Sequence, residues 1–378
     1  MRFSFSDDQQ ELRQAVQRFL EDKSPEAEVR RLMETPTGYD PEVWAQLSQE
    51  LGLTAVHIPA EYGGQGYGFG ELGVVLEEMG RVLLCAPYFA SVVLGAGAIL
   101  NAGTEIRKKE LLPGIASGET IATLAVAEPA GRWSAAGVEL QATPDGDGFR
   151  LDGCKSFVPD GHTADLIVVV ARSPRSSGRE GISFFTLAGD ASGVERRLLE
   201  TVDATRKLAR LELSGARAEL LGELDAGSAA LERTLDQAAI ALANEMVGGA
   251  QKVLETAVEY AKTRVQFGRP IGSFQAIKHK CADMLVEVEH AKSAAYYAAA
   301  AAAEDDDELS TLAPLAKSLA SDAFRSAATE SIQIHGGIGF TWEHPAHLYF
   351  KRAKGSEVFL GSPAHHRELL AQRLGVST

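Results

Sequence analysis

The residues best placed to do chemistry are glycines. Gly336, Gly337 and Gly339 close a helix-like approach that begins near Gln333, in the run QIHGGIGF. Without side chains, their backbone N–H groups can come close to a phosphate. A second run, Gly68, Gly70 and Gly73, spells GxGxxG. A dinucleotide fold needs a strand leading into that motif and further βαβ units after it. The sequence offers neither, so this run reads as a glycine-rich loop feeding a helix. Cys85, Cys154 and Cys281 stand far apart, with no metal spacing, and read as reduced thiols. His365 and His366 lack a paired acid and read as structural, and Glu343 and Glu357 read as surface carboxylates.

These groups need a scaffold, and the hydrophobic patterning supplies one in three parts. Residues 1–119 read as helical. Ser6 with Gln9 forms a capping-box pattern before Leu12, Val16, Phe19 and Leu20, and helices are expected over Pro41–Leu51 and Glu71–Val82. Residues 120–224 turn β-like. Leu166–Val170 and Ile182–Leu187 are short apolar runs, Leu208–Leu213 alternates, and the turn Pro144–Gly148 joins Val138–Ala142 to Phe149–Leu151. Residues 225–378 return to helix: a long one over Leu231–Val265, an alanine-rich one over Ala294–Ala303, an acidic break at Glu304–Glu308, and a third capped by Ser310 or Thr311 with Pro314 in its first turn. A four-helix bundle follows. The fold class expected is therefore multi-domain α+β. With 378 residues and 45% hydrophobic content, the chain can bury cores of this size. Its net charge of −15, with no basic stripe, excludes nucleic acid as partner. No apolar run approaches a membrane span, so a soluble, cytoplasmic protein is expected.

The run from Arg264 to Gln275, RVQFGRPIGSFQ, together with QIHGGIGF and the ending FLGSPAHH, resembles the acyl-CoA dehydrogenase family. The resemblance spans nearly the whole chain. It implies a helical N-terminal domain, a middle β-barrel or sandwich, a C-terminal four-helix bundle, and FAD as cofactor. In the family, the RxxFG run and the glycine turn reach across a subunit interface to a neighbour's flavin. Carried over, this makes Arg264, Gln266, Phe267, Ile271, Gln275, Gln333, Gly336 and Gly337 cofactor contacts. A guanidinium at 264 suits diphosphate oxygens. The two loops that hold the flavin ring in cis depart from the family pattern. Ala127 replaces a hydroxyl residue, the Ala130–Trp133 loop is altered, and Pro159 stands where a Thr offers its hydroxyl and N–H.

The family also places a Glu that takes the substrate α-proton, at one of two positions. They correspond here to Leu360 and Ala238, and neither can carry a proton. Glu245, seven residues past Ala238, lies roughly 10 Å further along the helix and is a weak substitute. The resemblance thus points to the base-lacking subunit of the heterotetrameric acyl-CoA dehydrogenases of actinobacterial steroid degradation. Its partners would be an acyl-CoA substrate, a second acyl-CoA dehydrogenase subunit and electron-transfer flavoprotein as acceptor. The alternatives are a homotetramer using Glu245 or a flavin-free CoA-ester-binding scaffold.

Overall fold

A computed structural model describes residues 5–304 and 308–376. Its helices are α1 Asp7–Lys23, α2 Glu26–Met33, α3 Pro41–Ala45, α4 Phe69–Arg81, α5 Gly97–Ala102, α6 Glu105–Ala116, α7 Ser228–Thr263, α8 Gln275–Glu304, α9 Leu309–His335, α10 Ala346–Val358 and α11 Pro363–Arg373. By internal packing they fall into two compact units. One comprises residues 1–31, 69–84 and 239–378, the other residues 32–68 and 85–238.

The first unit is helical. Its entry follows the capping-box pattern: Gln9 N–H donates to Ser6 Oγ at 3.1 Å, and Ser6 N–H donates to Gln9 Oε1 at 3.0 Å. Helices α8, α10 and α11 all pack on α9. Helices α4 and α7 meet through glycines. A Cβ on Gly248 would lie 1.9 Å from the Glu77 carbonyl oxygen, and one on Gly80 would lie 1.9 Å from that of Glu245. Each backbone therefore rests directly on the other, an approach that only glycine permits.

The second unit is built on β1 Ala122–Ala125, β2 Gln141–Asp145, β3 Gly148–Pro159, β4 Leu166–Arg172, β5 Ile182–Ala188, β6 Val194–Leu198 and β7 Leu208–Leu220. Pairing runs β2–β3–β7–β5–β4 and returns to β2 through Gln141 and Arg172, so the sheet closes into a barrel. Strand β1 lies parallel along the first half of β4, and β6 lies antiparallel on β7. The inner residues of β4, Ile167 to Ala171, are all buried, which explains the unbroken apolar run there.

Several expectations change in detail. The first hairpin begins at Gln141, not Val138, and turns on Gly146 and Asp147 alone. The physical reason is that the Glu139 and Leu140 amides are already taken by the Glu128 carboxylate, at 2.9 Å each. The alanine-rich helix extends back to Gln275. Ser310 and Thr311 lie inside α9 instead of capping it, and the Thr311 hydroxyl donates to the Glu308 carbonyl. Of the acidic break, residues 305–307 lie outside the described residues. Strand β3 carries a bulge between Lys155 and Val158, where Phe157 takes a left-handed φ of 58°.

Candidate functional site

The Arg264 segment begins where α7 ends. Arg264 N–H still donates to Tyr260 O at 2.8 Å, completing the last turn. Val265–Gln266 and Arg269–Pro270 then form a two-residue hairpin, with Phe267 and Gly268 both left-handed at φ 54° and 79°. That geometry belongs to the tight turn favoured between twisted strands. Phe267 is 91% exposed and meets the edge of Phe274, whose ring also lies 4.1 Å from the Arg269 guanidinium. Ile271 N–H closes the loop onto Arg264 O at 2.8 Å, and Gln275, exposed, opens α8. Gln266 turns its amide back to the Val265 carbonyl at 2.9 Å. Arg264 is exposed and forms no ion pair among the described residues.

In the same unit, α9 stops at Gly336, whose φ of 66° and ψ of −142° only glycine adopts readily. Gln333, Gly336 and Gly337 are exposed. A Cβ on Gly336 or Gly337 would meet nothing within 4 Å. Gly337 is therefore not required by the chain's own packing. An open glycine backbone of this kind is suited to the approach of an anion.

The two positions where a base could stand are apolar and closed. Ala238 and Ala239 are buried in α7. Leu360, 3% exposed, sits in the turn between α10 and α11 at a left-handed φ of 60°. The turn is firmly held. His366 Nε2–H donates to Leu360 O at 3.0 Å, which fixes that tautomer, and burial lowers the His366 pKa to about 3, so the ring is neutral. Buried Lys317 donates to Ser356 O at 3.0 Å and to Gly361 O at 3.4 Å, at the end of α10. Glu245 is only 6% exposed, and its Oε1 accepts from Arg352 Nη1 at 2.7 Å.

In the barrel unit, the Ala127–Trp133 loop and the end of β3 come together. Ser156 N–H donates to Ala127 O at 2.8 Å, and a Cβ on Gly131 would lie 3.8 Å from the Phe157 ring. Pro159 gives its carbonyl to the Thr123 hydroxyl at 2.6 Å and has no N–H to offer.

Sequence reasoning missed Lys155, which is fully buried. Its Nζ donates to Glu128 Oε1 at 2.8 Å and to Val126 O at 3.0 Å. Burial lowers its pKa to about 8, against the opposing pull of Glu128. Strand alternation from inward-facing Leu151 places Lys155 on the same face, and a charge there calls for a carboxylate. That was the available signal. Among the described residues no His/Cys/Asp/Glu group could hold a metal, and no helix is long and apolar enough to cross a membrane.

Comparison with known proteins fits this arrangement. Models of the acyl-CoA dehydrogenase N-terminal, middle and C-terminal domains match residues 6–119, 123–216 and 225–375. The acyl-CoA dehydrogenase IpdE2 of Mycolicibacterium smegmatis is 36% identical over 359 residues, 95% of this chain and 96% of that protein. Among solved structures, the ChsE4-ChsE5 complex from Mycobacterium tuberculosis superposes with a TM-score of 0.90 at 28% identity, covering 100% of both chains. The Tcur3481-Tcur3483 steroid ACAD gives 0.88 at 32% identity, covering 98% of each.

Proposed function

Because this chain belongs to the acyl-CoA dehydrogenase family, whose cofactor is FAD, we propose that it is a subunit that completes a neighbour's flavin site and supplies no base of its own. The observation that carries this reading is a contrast in exposure. The Arg264 hairpin and the Gly336–Gly337 turn are open, whereas Leu360 and Ala238 are buried and apolar. When bound, FAD would supply hydride-accepting chemistry at the substrate β-carbon, and a carboxylate would be needed for the α-proton. This chain's part is to hold the diphosphate end. Arg264 presents a planar fork to phosphate oxygens, and the open turn after α9 lets the Gly337 backbone come close to them, while the Gly336 N–H closes the helix onto the Gln333 and Ile332 carbonyls. Phe267 would pack near the flavin ring system, Gln275 would bond nucleotide edges, and Gln266, Ile271 and Gln333 would add further cofactor contacts.

The α-proton goes to a Glu of a second acyl-CoA dehydrogenase subunit, in an α2β2 heterotetramer that passes electrons to electron-transfer flavoprotein in the cytoplasm. Likeness to IpdE2, to the two-component ChsE4-ChsE5 complex and to a steroid ACAD supports this reading, with a bulky, steroid-derived acyl-CoA as substrate. Pro159 and Ala127 support it from the other side. At the ring end, this chain lacks both the N–H and the hydroxyl that a flavin would use.

The test is the flavin-to-protein ratio of the chain alone and of the complex purified through it. We expect a poorly flavinated isolated chain, two FADs per heterotetramer, and release of FAD by Arg264→Ala with partial rescue by Arg264→Lys. A homotetramer of this chain carrying one FAD per subunit and oxidising acyl-CoA would overturn the reading.

A further inference from the structure

Beneath the two exposed cofactor-facing segments lies a stack of three polar rings that none of the roles above uses. His335 is buried at the end of α9, directly before Gly336. Its ring centroid lies 4.4 Å from that of Tyr260, tilted by 31°, and 4.2 Å from that of His344 on the other side. Tyr260 belongs to the same final turn of α7 as Arg264, whose N–H it accepts. A short path therefore runs from Arg264 through the Tyr260–His335 ring contact to Gly336.

The protonation of the stack follows from its partners. His335 Nδ1 lies 2.8 Å from the Ser331 carbonyl, which can only accept, so Nδ1 carries the proton. His344 Nδ1 accepts the Ala346 N–H at 3.2 Å at the start of α10. Both histidine rings are thus oriented by a backbone group. The glycine turn folds closely over His335: a Cβ on Gly339 would lie 2.9 Å from the His335 Cβ. Arg264 and Gly336–Ile338 are exposed, whereas His335 is buried and Tyr260 and His344 are half-buried, so the stack is the more enclosed part of the path between them. An anion held by both segments at once is sensitive to their separation, because misplaced donors lose hydrogen-bond energy steeply with distance and angle.

We propose that His335 is a positioning residue for the neighbouring subunit's FAD: stacked between Tyr260 and His344, it sets the separation of the Arg264 segment from the Gly336–Gly337 turn. This rests on the reading that these two segments take the diphosphate. The ring supplies geometry alone and exchanges no proton with the cofactor.

The complex, purified through a tag on this chain, is compared as wild type, His335→Ala, His335→Phe, Tyr260→Leu, the His335→Ala/Tyr260→Leu pair and Arg264→Ala. The readouts are the FAD dissociation rate at 25 °C, from the fluorescence of released flavin, and the thermal midpoint. His335→Ala and Tyr260→Leu should each speed FAD release about tenfold, the scale of one or two lost aromatic contacts, and the double variant should be no faster than either. His335→Phe keeps a flat ring in the stack and should return release to within about threefold of wild type. A merely structural His335 would lower the thermal midpoint and leave the dissociation rate unchanged, and that result overturns the proposal. So does a His335→Phe variant as leaky as His335→Ala. If Arg264→Ala releases FAD while the His335 variants do not, only this inference falls. If Arg264→Ala retains FAD, the assignment of the two segments falls and takes the stack's role with it.

Discussion

Gly337→Ala separates what the fold needs from what a cofactor needs. Gly337 lies in the short 3-10 turn Gly336–Phe340, its φ is outside the left-handed region, and an added Cβ would meet nothing within 4 Å. The chain should tolerate alanine, and even gain about 0.4–1 kcal/mol because its unfolded state has less freedom to lose. A phosphate approaching the Gly337 amide would meet that methyl group. Losing one charge-assisted hydrogen bond costs about 1.5–3 kcal/mol, equivalent to roughly 10–150-fold in FAD affinity. Gly336→Ala is the contrasting variant. At φ 66° and ψ −142° the strain of a side chain is about 1–3 kcal/mol, so stability and FAD affinity should fall together. The assay is fluorescence titration of FAD into the apo-complex beside thermal unfolding of the same preparations. If Gly337→Ala binds FAD within twofold of wild type, the glycine is not there for the cofactor and the anion-binding reading of the turn fails.

Three further outcomes follow from buried contacts. Glu245→Gln should leave turnover of the complex nearly unchanged, since Glu245 is engaged by Arg352 at 2.7 Å; a loss of a hundredfold or more would make it the base. Gly248→Ala should destabilise the chain by about 1–3 kcal/mol or more, because a Cβ 1.9 Å from the Glu77 oxygen must push α4 off α7; a raised urea midpoint would contradict the packing. Lys155 has a folded pKa of about 8 against 10.5 in the open chain. The unfolded state therefore binds more protons between those values, so this residue's contribution to stability rises as pH climbs from about 8 to 10.5. Lys155→Met should flatten that rise relative to wild type in urea midpoints measured across the window, and identical slopes would refute the assignment.

What the sequence revealed was local. The Ser6–Gln9 box, the apolar runs of β4 and β5, and the Phe267-Gly268 turn each carry their signal within a few residues, as does the glycine stop at Gly336. What it concealed was paired over distance or weak in pattern. Strand β6, VERRL, is too charged to read as a strand and exists because it lies along β7. Strand β1 is four small residues long. The hairpin start moved from Val138 to Gln141 because a carboxylate at 128 captured two amides, an event no propensity encodes. The same holds for the site. Arg264 and Gly336 could be named from their motifs, but the Tyr260–His335 contact joins residues far apart in the chain, and neither ring announces the other.

The way the helical unit is assembled bears on how the protein is made. Its first two segments end at Arg31 and Leu84, and its third begins at Ala239. Helix α4, with Leu72, Val74, Val75 and Leu76 destined for burial, therefore leaves the ribosome about 155 residues before the α7 surface that covers its glycines (239 − 84). At about 5–20 residues per second, that is a wait of roughly 8–30 s with an apolar face uncovered. During that interval, the 85–238 stretch is emerging and can close its barrel. The helical unit is thus a late product of synthesis. A nascent chain stalled before residue 239 would present α4 with apolar surface that the α7 segment has yet to cover.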